Sequence, residues 1–78
     1  MTIATAVREA PSRATAVTPS DTDKFRQGFI LVQTAGNIVV ELADGGQLTF
    51  TSFSGVLEYQ IVKVLATGTT ATGIFVLN

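Results

Sequence analysis

The chain has 78 residues, 46% of them hydrophobic and only 14% charged, with a net charge of −1. It contains no Cys and no His, which rules out disulfides and a thiolate or imidazole zinc site, and its five Lys and Arg form no basic stripe for nucleic acid. A single core of this size supplies no more than about 3–5 kcal/mol, so so apolar a chain is expected to cover part of its surface with other copies of itself.

Two units are expected: an N-terminal arm over residues 1–15 and a β domain over residues 16–78. The arm is built of Ala, Thr, Arg and Ser, with Ile3 and Val7 as its sizeable apolar groups. Pro11 interrupts any continuous helix. The arm is therefore expected to be disordered in the free subunit and ordered only against a partner, the alternative being a short helix over Ala4 to Glu9. Ile3-Ala4-Thr5-Ala6-Val7 meets Arg8-Glu9 too soon for the roughly 7–15-residue apolar region of a secretory signal, so synthesis in a cytoplasm is expected. No unbroken apolar run is longer than Phe29-Ile30-Leu31-Val32, far short of the roughly 18 residues of a membrane span.

Beyond Ala16 the patterning is β. "AVTPSDTD" at Ala16 to Asp23 reads as a short strand entering a turn, in which Pro19 fixes the backbone while Ser20 and Asp21 bond local amides. Phe29 to Thr34 is a strongly apolar strand. Ala35-Gly36-Asn37 supplies a tight turn, and Ile38 to Ala43 returns with Ile38, Val40 and Leu42 on one face. Asp44-Gly45-Gly46 is a second hairpin turn, followed by clean alternation from Gln47 to Phe53. Ser54-Gly55 is expected to reverse the chain again. In Val56 to Thr67, Leu57, Tyr59 and Ile61 share a face, whereas Val62 and Val64 shift the phase and suggest a bulge or bend. Thr67-Gly68-Thr69-Thr70 turns into a last strand, Thr72 to Leu77. About six short strands with Gly-containing turns predict an all-β fold, a small antiparallel sandwich or barrel.

Residues able to do chemistry are few. Asp21 and Asp23 form a D-x-D pair, but a Ca²⁺ site needs about 6–8 oxygen ligands, and a turn cap is the better reading. Glu41, Asp44 and Glu58 offer carboxylates for acid-base work, yet they fall on polar strand faces and in a turn. Ser12, Ser20, Ser52 and Ser54 have no His to activate them, Lys63 has no partner base, and Gly45-Gly46 lacks the strand-to-helix setting of a phosphate loop. No enzyme, no cofactor and no metal is expected. The C-terminal stretch "KVLATGTTATGIFVL", in which Lys63 is the single charge, is different. As a terminal strand it makes a natural sheet edge, and an unguarded edge needs covering. A subunit contact is therefore expected at Leu65, Thr67, Thr69, Thr70, Ile74, Phe75, Val76 and Leu77. Filling of a two-sided core by Ile74 to Leu77 is the other reading, and the two are compatible. Arg8, Arg13, Lys24 and Arg26 are candidates for pairing with carboxylates of a partner, Arg being suited to bidentate contacts.

Four segments, "AVTPSDTD", "TAGNIVVEL" at Thr34 to Leu42, "GGQLTF" at Gly45 to Phe50 and above all "VLATGTTATGIFVL" at Val64 to Leu77, resemble in type and order the small head-spike base and decoration proteins of tailed bacteriophages and gene transfer agents. The resemblance covers nearly all of the β domain, although Phe25-Arg26-Gln27 is less aliphatic than it would lead one to expect. It implies a virion structural protein on the capsid surface, made in the host cytoplasm and assembled as a cyclic homo-oligomer, a pentamer in preference to a trimer. It also implies contact with the major capsid protein, through Ile3, Val7, Arg8 and Arg13 of the arm, and carriage of a head fibre or spike. The alternative is a carbohydrate- or receptor-binding module of a phage fibre, for which Tyr59 is the one Tyr and there is no Trp.

Overall fold

Stretches rich in β-branched and aromatic residues form the long strands, and every described element is a strand. The computed structural model describes residues 13–78. The arm before Arg13, with Ile3, Val7, Arg8 and the Ala4 to Glu9 segment, lies outside the described residues. β1 is Ala14–Ala16, β2 Gly28–Leu42, β3 Gln47–Val64 and β4 Thr72–Leu77, and they form one sheet in the order β1-β4-β2-β3. β1 with β4 and β4 with β2 are antiparallel. The β2–β3 register runs from Gly28 opposite Ile61 to Glu41 opposite Gln47, so these two strands also run in opposite directions. The fold is all-β, with four strands in one sheet where about six in a sandwich or barrel were expected.

The difference in count comes from two kinks. Residues that can turn a chain can also bulge it, because both need positive φ or an extra residue on one strand. From Val32 to Gly36 of β2, β3 advances only from Gly55 to Phe53; from Gly36 to Ile38 it advances from Phe53 to Phe50. Ser52 has φ 51° and Gly55 has φ 114°. The Asn37 side-chain Oδ1 accepts the Ser52 N–H at 3.1 Å and locks the two bulges together. Ala35-Gly36-Asn37 and Ser54-Gly55 therefore bend two long strands, and neither reverses the chain.

The one tight turn between β2 and β3 is at Asp44-Gly45-Gly46, as local turn chemistry predicts. Leu42 N–H donates to Gly46 O at 2.7 Å, Gly45 N–H to Leu42 O at 2.9 Å, and Gly46 N–H to Asp44 Oδ1 at 2.9 Å, while Gly45 takes φ 96°. At this end of β2, even-numbered backbone groups face the first half of β3. The odd-numbered ones face its second half: Ala43 N–H donates to Gln60 O and Leu65 N–H to Val39 O, both at 2.9 Å. The kinked hairpin thus folds back until the end of β2 lies between the two halves of β3.

That fold-back encloses the core. Ile30, Val32, Ile38 and Val40 of β2 meet Leu57, Ile61 and Val64 of β3 and Ile74 and Val76 of β4, all nearly inaccessible to solvent. Each such side chain contributes about 1.5–3 kcal/mol of hydrophobic stabilisation. β4 is not the sheet edge expected of a terminal strand, because β1 pairs along one side of it and β2 along the other. Its approach to β2 needs a residue without a side chain. A Cβ at Gly36 would sit 2.6 Å from Ala71 N.

Candidate association surface

The Thr-rich link between β3 and β4 completes the hydrogen bonding of β2. Thr69 Oγ1 accepts Val39 N–H and Thr70 Oγ1 accepts Asn37 N–H, each at 3.0 Å, and Asn37 O receives Thr70 N–H at 2.8 Å and Ala71 N–H at 3.0 Å. Short hydroxyl side chains suit this position because they reach a neighbouring strand edge without filling the space between. Thr67 is held from the other direction. Its N–H and Oγ1 donate to the two carboxylate oxygens of Asp21 at 2.9 and 2.6 Å, which keeps the Asp21 carboxyl below its ordinary range, the hydroxyl being the larger cause. Asp21 therefore clamps a distant loop, while the local turn is capped by Ser20, whose Oγ accepts the N–H groups of Thr22 and Asp23 at 3.3 and 3.1 Å.

Beside this clamp, Glu41 lies between Lys63 at 3.1 Å and Lys24 at 3.4 Å. The Lys63 hydrogen bond, ahead of the weaker Lys24 contributions, lowers the Glu41 pKa against the opposing effect of burial. Lys63 Nζ also donates to Asp21 O at 3.0 Å. Asp44 is used in its turn and Glu58 is exposed, so the three carboxylates do not converge as an acid-base pair. Among the described residues, no group of three Asp or Glu is placed to hold a metal ion.

The residues expected at a subunit contact divide three ways. Ile74 and Val76 are buried in the subunit's own core, and Phe75 and Leu77 are half-buried on the other face of β4. Leu65 is half-buried, and Thr67, Thr69 and Thr70 are tied to Asp21 and β2 as described. Arg13 is exposed, with its carbonyl accepting Asn78 N–H at 2.9 Å.

One surface lies outside that set. Between Gly28 and Ile30 of β2, the partner β3 runs from Ile61 to Leu57. The surplus residues of β3 form a bulge that throws Tyr59 outward, 46% exposed, instead of leaving it on the core face with Leu57 and Ile61. Phe50 stands with its ring centroid 6.4 Å from Tyr59 and 5.7 Å from Phe53. Together with Val56, 43% exposed, Phe50, Leu57, Glu58 and Tyr59 line an open groove of about 360 Å³. The alternating Gln47 to Phe53 run and the lone Tyr59 were visible in the sequence. Their meeting depends on the kink and the bulge, which no local signal placed.

No family model matches the chain, and no curated protein matches it either. Among solved structures it is similar to a chain described as "Capsid of native GTA particle computed with C5 symmetry", a gene transfer agent particle, with 38% sequence identity over 87% of this chain and 83% of that one and a TM-score of 0.76. Likeness at that identity and coverage extends beyond the fold to descent, and the chain belongs to the family of that gene transfer agent capsid chain: it is a virion structural protein of the phage and gene transfer agent kind.

Proposed function

We propose that this virion protein is a head-spike base or capsid decoration subunit that assembles as a cyclic homo-oligomer, a pentamer, on the head surface, rests on the major capsid protein and anchors a fibre or spike. The observation that carries the reading is the 38% identity across 87% of the chain to a component of a capsid computed with C5 symmetry. Its work is assembly rather than catalysis. A standard stable interface buries about 800 Å² per partner, and a chain with 46% hydrophobic residues has the composition to supply that. Phe75, Leu77, Leu65 and Thr67 contribute to subunit contacts, while Ile74, Val76, Thr69 and Thr70 hold the strand and loop that present them. Ile3, Val7 and Arg8 of the arm contact the capsid, and Arg13, at the start of β1, is left to a subunit junction. Native mass spectrometry of the purified chain together with a side-chain-resolution reconstruction of the particle tests this. A pentameric species and fivefold density over the capsid vertices are expected, whereas a monomer with no density on the head overturns the reading.

A second reading, a carbohydrate- or receptor-binding module, is favoured by the exposure of Tyr59 beside Glu58 and Gln60. Glycan-array binding that is lost on Tyr59→Ala would put it first.

A further inference from the structure

Among the described residues the four strands leave two free edges, and they lie at opposite ends of the sheet. One is the outer side of β1, the other the first half of β3, Gln47 to Phe53. Within the subunit, β1 makes no contact with β3, so the edges do not satisfy each other. The hydrogen-bond alternation tells which groups point outward. Leu42 N–H bonds Gly46 O, so in the antiparallel register Leu48 and Phe50 face β2 while Gln47, Thr49 and Thr51 turn their backbone groups away. Likewise Arg13 O bonds Asn78 N–H and Val17 N–H bonds Ile74 O, so Ala14 and Ala16 face outward from β1.

Neither edge carries a charge or Pro of its own, although β1 is only three residues long and the β3 edge ends in the Ser52 bulge. Sheet edges are normally protected by charge, Pro, a bulge or a covering segment. Gln47 to Ser52 contains no charge, no Pro and no Gly, and β1 is Ala-Thr-Ala. The ends differ instead in the charges beside them. Arg13 leads into β1, and Arg26 lies across β4 before β2, the two flanking Asn78, whose N–H bonds the Arg13 carbonyl and whose side-chain amide bonds the Arg26 carbonyl. Glu58 borders the groove described above, and Asp44 borders a second open groove on the other side of Tyr59, lined also by Leu42, Ala43 and Gln60. Among the described residues none of these four charges has an ion-pair partner.

The geometry points to head-to-tail association of copies of this chain, the Gln47 to Phe53 edge of one subunit continuing into the β1 edge of the next, with Arg13 and Arg26 approaching Asp44 and Glu58 across the junction. The occupant is a second copy, because each edge is complementary to the other in charge and the chain supplies both. A heterologous junction of this kind closes into a ring when its rotation permits. The inference rests on the cyclic assembly proposed above and adds a backbone junction to the side-chain contacts named there.

Proline at an outward-facing position removes only an outward N–H, which an edge tolerates, so Thr49→Pro and Ala16→Pro each block one end. Native mass spectrometry of the full chain is expected to show a closed oligomer for the wild type, a monomer for each variant alone, and a one-to-one heterodimer when the two variants are mixed, because one intact junction remains. Either variant retaining the wild-type oligomer overturns the junction and leaves the cyclic assembly standing. A monomeric wild type overturns the cyclic assembly itself. If a variant loses its circular-dichroism strand signal, hydrogen exchange of the wild type decides the matter. Thr49, Thr51, Ala14 and Ala16 amides should exchange about tenfold or more slowly in the oligomer than in dilute monomer, and equal rates in the two states overturn the junction.

Discussion

At the residue scale, one carboxylate and one hydroxyl tie the segment before β2 to the link before β4. Asp21 accepts hydrogen bonds from both the N–H and the Oγ1 hydroxyl of Thr67, and its pKa is depressed by those bonds. A carboxyl with a folded pKa below its unfolded one adds stability that is complete above the unfolded value and vanishes as pH falls through the folded value. Glu41, also depressed, acts with the same sign. Urea midpoints followed from about pH 5 downward should therefore fall more steeply for the wild type than for Asp21→Asn, and superimposable acid limbs would remove the clamp from the account. Thr69 gives a sharper case because its Oγ1 is the acceptor for a part-buried Val39 N–H. Thr69→Val keeps the shape and orphans that donor, at about 1–3 kcal/mol, or a fall in Tm of roughly 4–8 °C per kcal/mol for a domain of this size. Thr69→Ser should recover most of the loss in the same thermal melts. The Thr run was recognisable from sequence as a turn. Its partners were not, since Asn37 and Val39 lie some thirty positions away and a hydroxyl carries no mark of the amide it will meet.

At the element scale, the strands were legible wherever the chemistry was local. Asp44-Gly45-Gly46 reverses the chain because Gly45 takes positive φ and Asp44 bonds the next turn amide, and both facts follow from residue type. Ala35-Gly36-Asn37 and Ser54-Gly55 carry the same residue types and yet only kink β2 and β3. Whether such a stretch turns or bulges depends on which strand it lies beside, and that is fixed by the fold-back of β2 between the halves of β3. The interior place of β4 was hidden for a related reason: three unremarkable residues, Ala14–Ala16, are enough to cover its outer side. The kink makes its own prediction. Gly55 has φ 114° and open space, with nothing nearer to an added Cβ than Phe53 at 3.9 Å, whereas Gly36 has no positive φ but an added Cβ 2.6 Å from Ala71 N. Gly55→Ala should cost about 1–3 kcal/mol through backbone strain, and D-alanine at the same position in a synthetic chain should restore or exceed wild-type stability. Gly36→Ala should cost a similar amount by overpacking, and D-alanine there is not expected to rescue it. Chemical denaturation of the four proteins separates the two causes, and equal behaviour of L- and D-alanine at position 55 would rule out strain.

At the scale of the whole molecule, the core is a single narrow layer of Ile, Val and Leu with Ala71 and no buried polar side chain among the described residues. Such a core gives a chain of this size about 3–5 kcal/mol. Ile61 is its pivot: fully buried, it lies opposite Gly28 at one end of β2 and Leu42 at the other, holding the fold-back closed. Ile61→Ala should remove about 2–5 kcal/mol, which is comparable with the whole reserve. An isolated subunit carrying it should be largely unfolded at room temperature. Association changes the outcome, since anything that binds the folded state alone stabilises it by mass action and makes Tm depend on concentration. If subunit contacts supply what the small core cannot, the wild-type Tm should climb steadily over a roughly hundredfold rise in protein concentration. Ile61→Ala should then regain its strand signal only at the upper end of that range. A wild-type Tm that stays constant across the range, with Ile61→Ala folded even when dilute, would mean that the kinked hairpin and β4 are sufficient alone and that assembly on the particle adds function without adding stability.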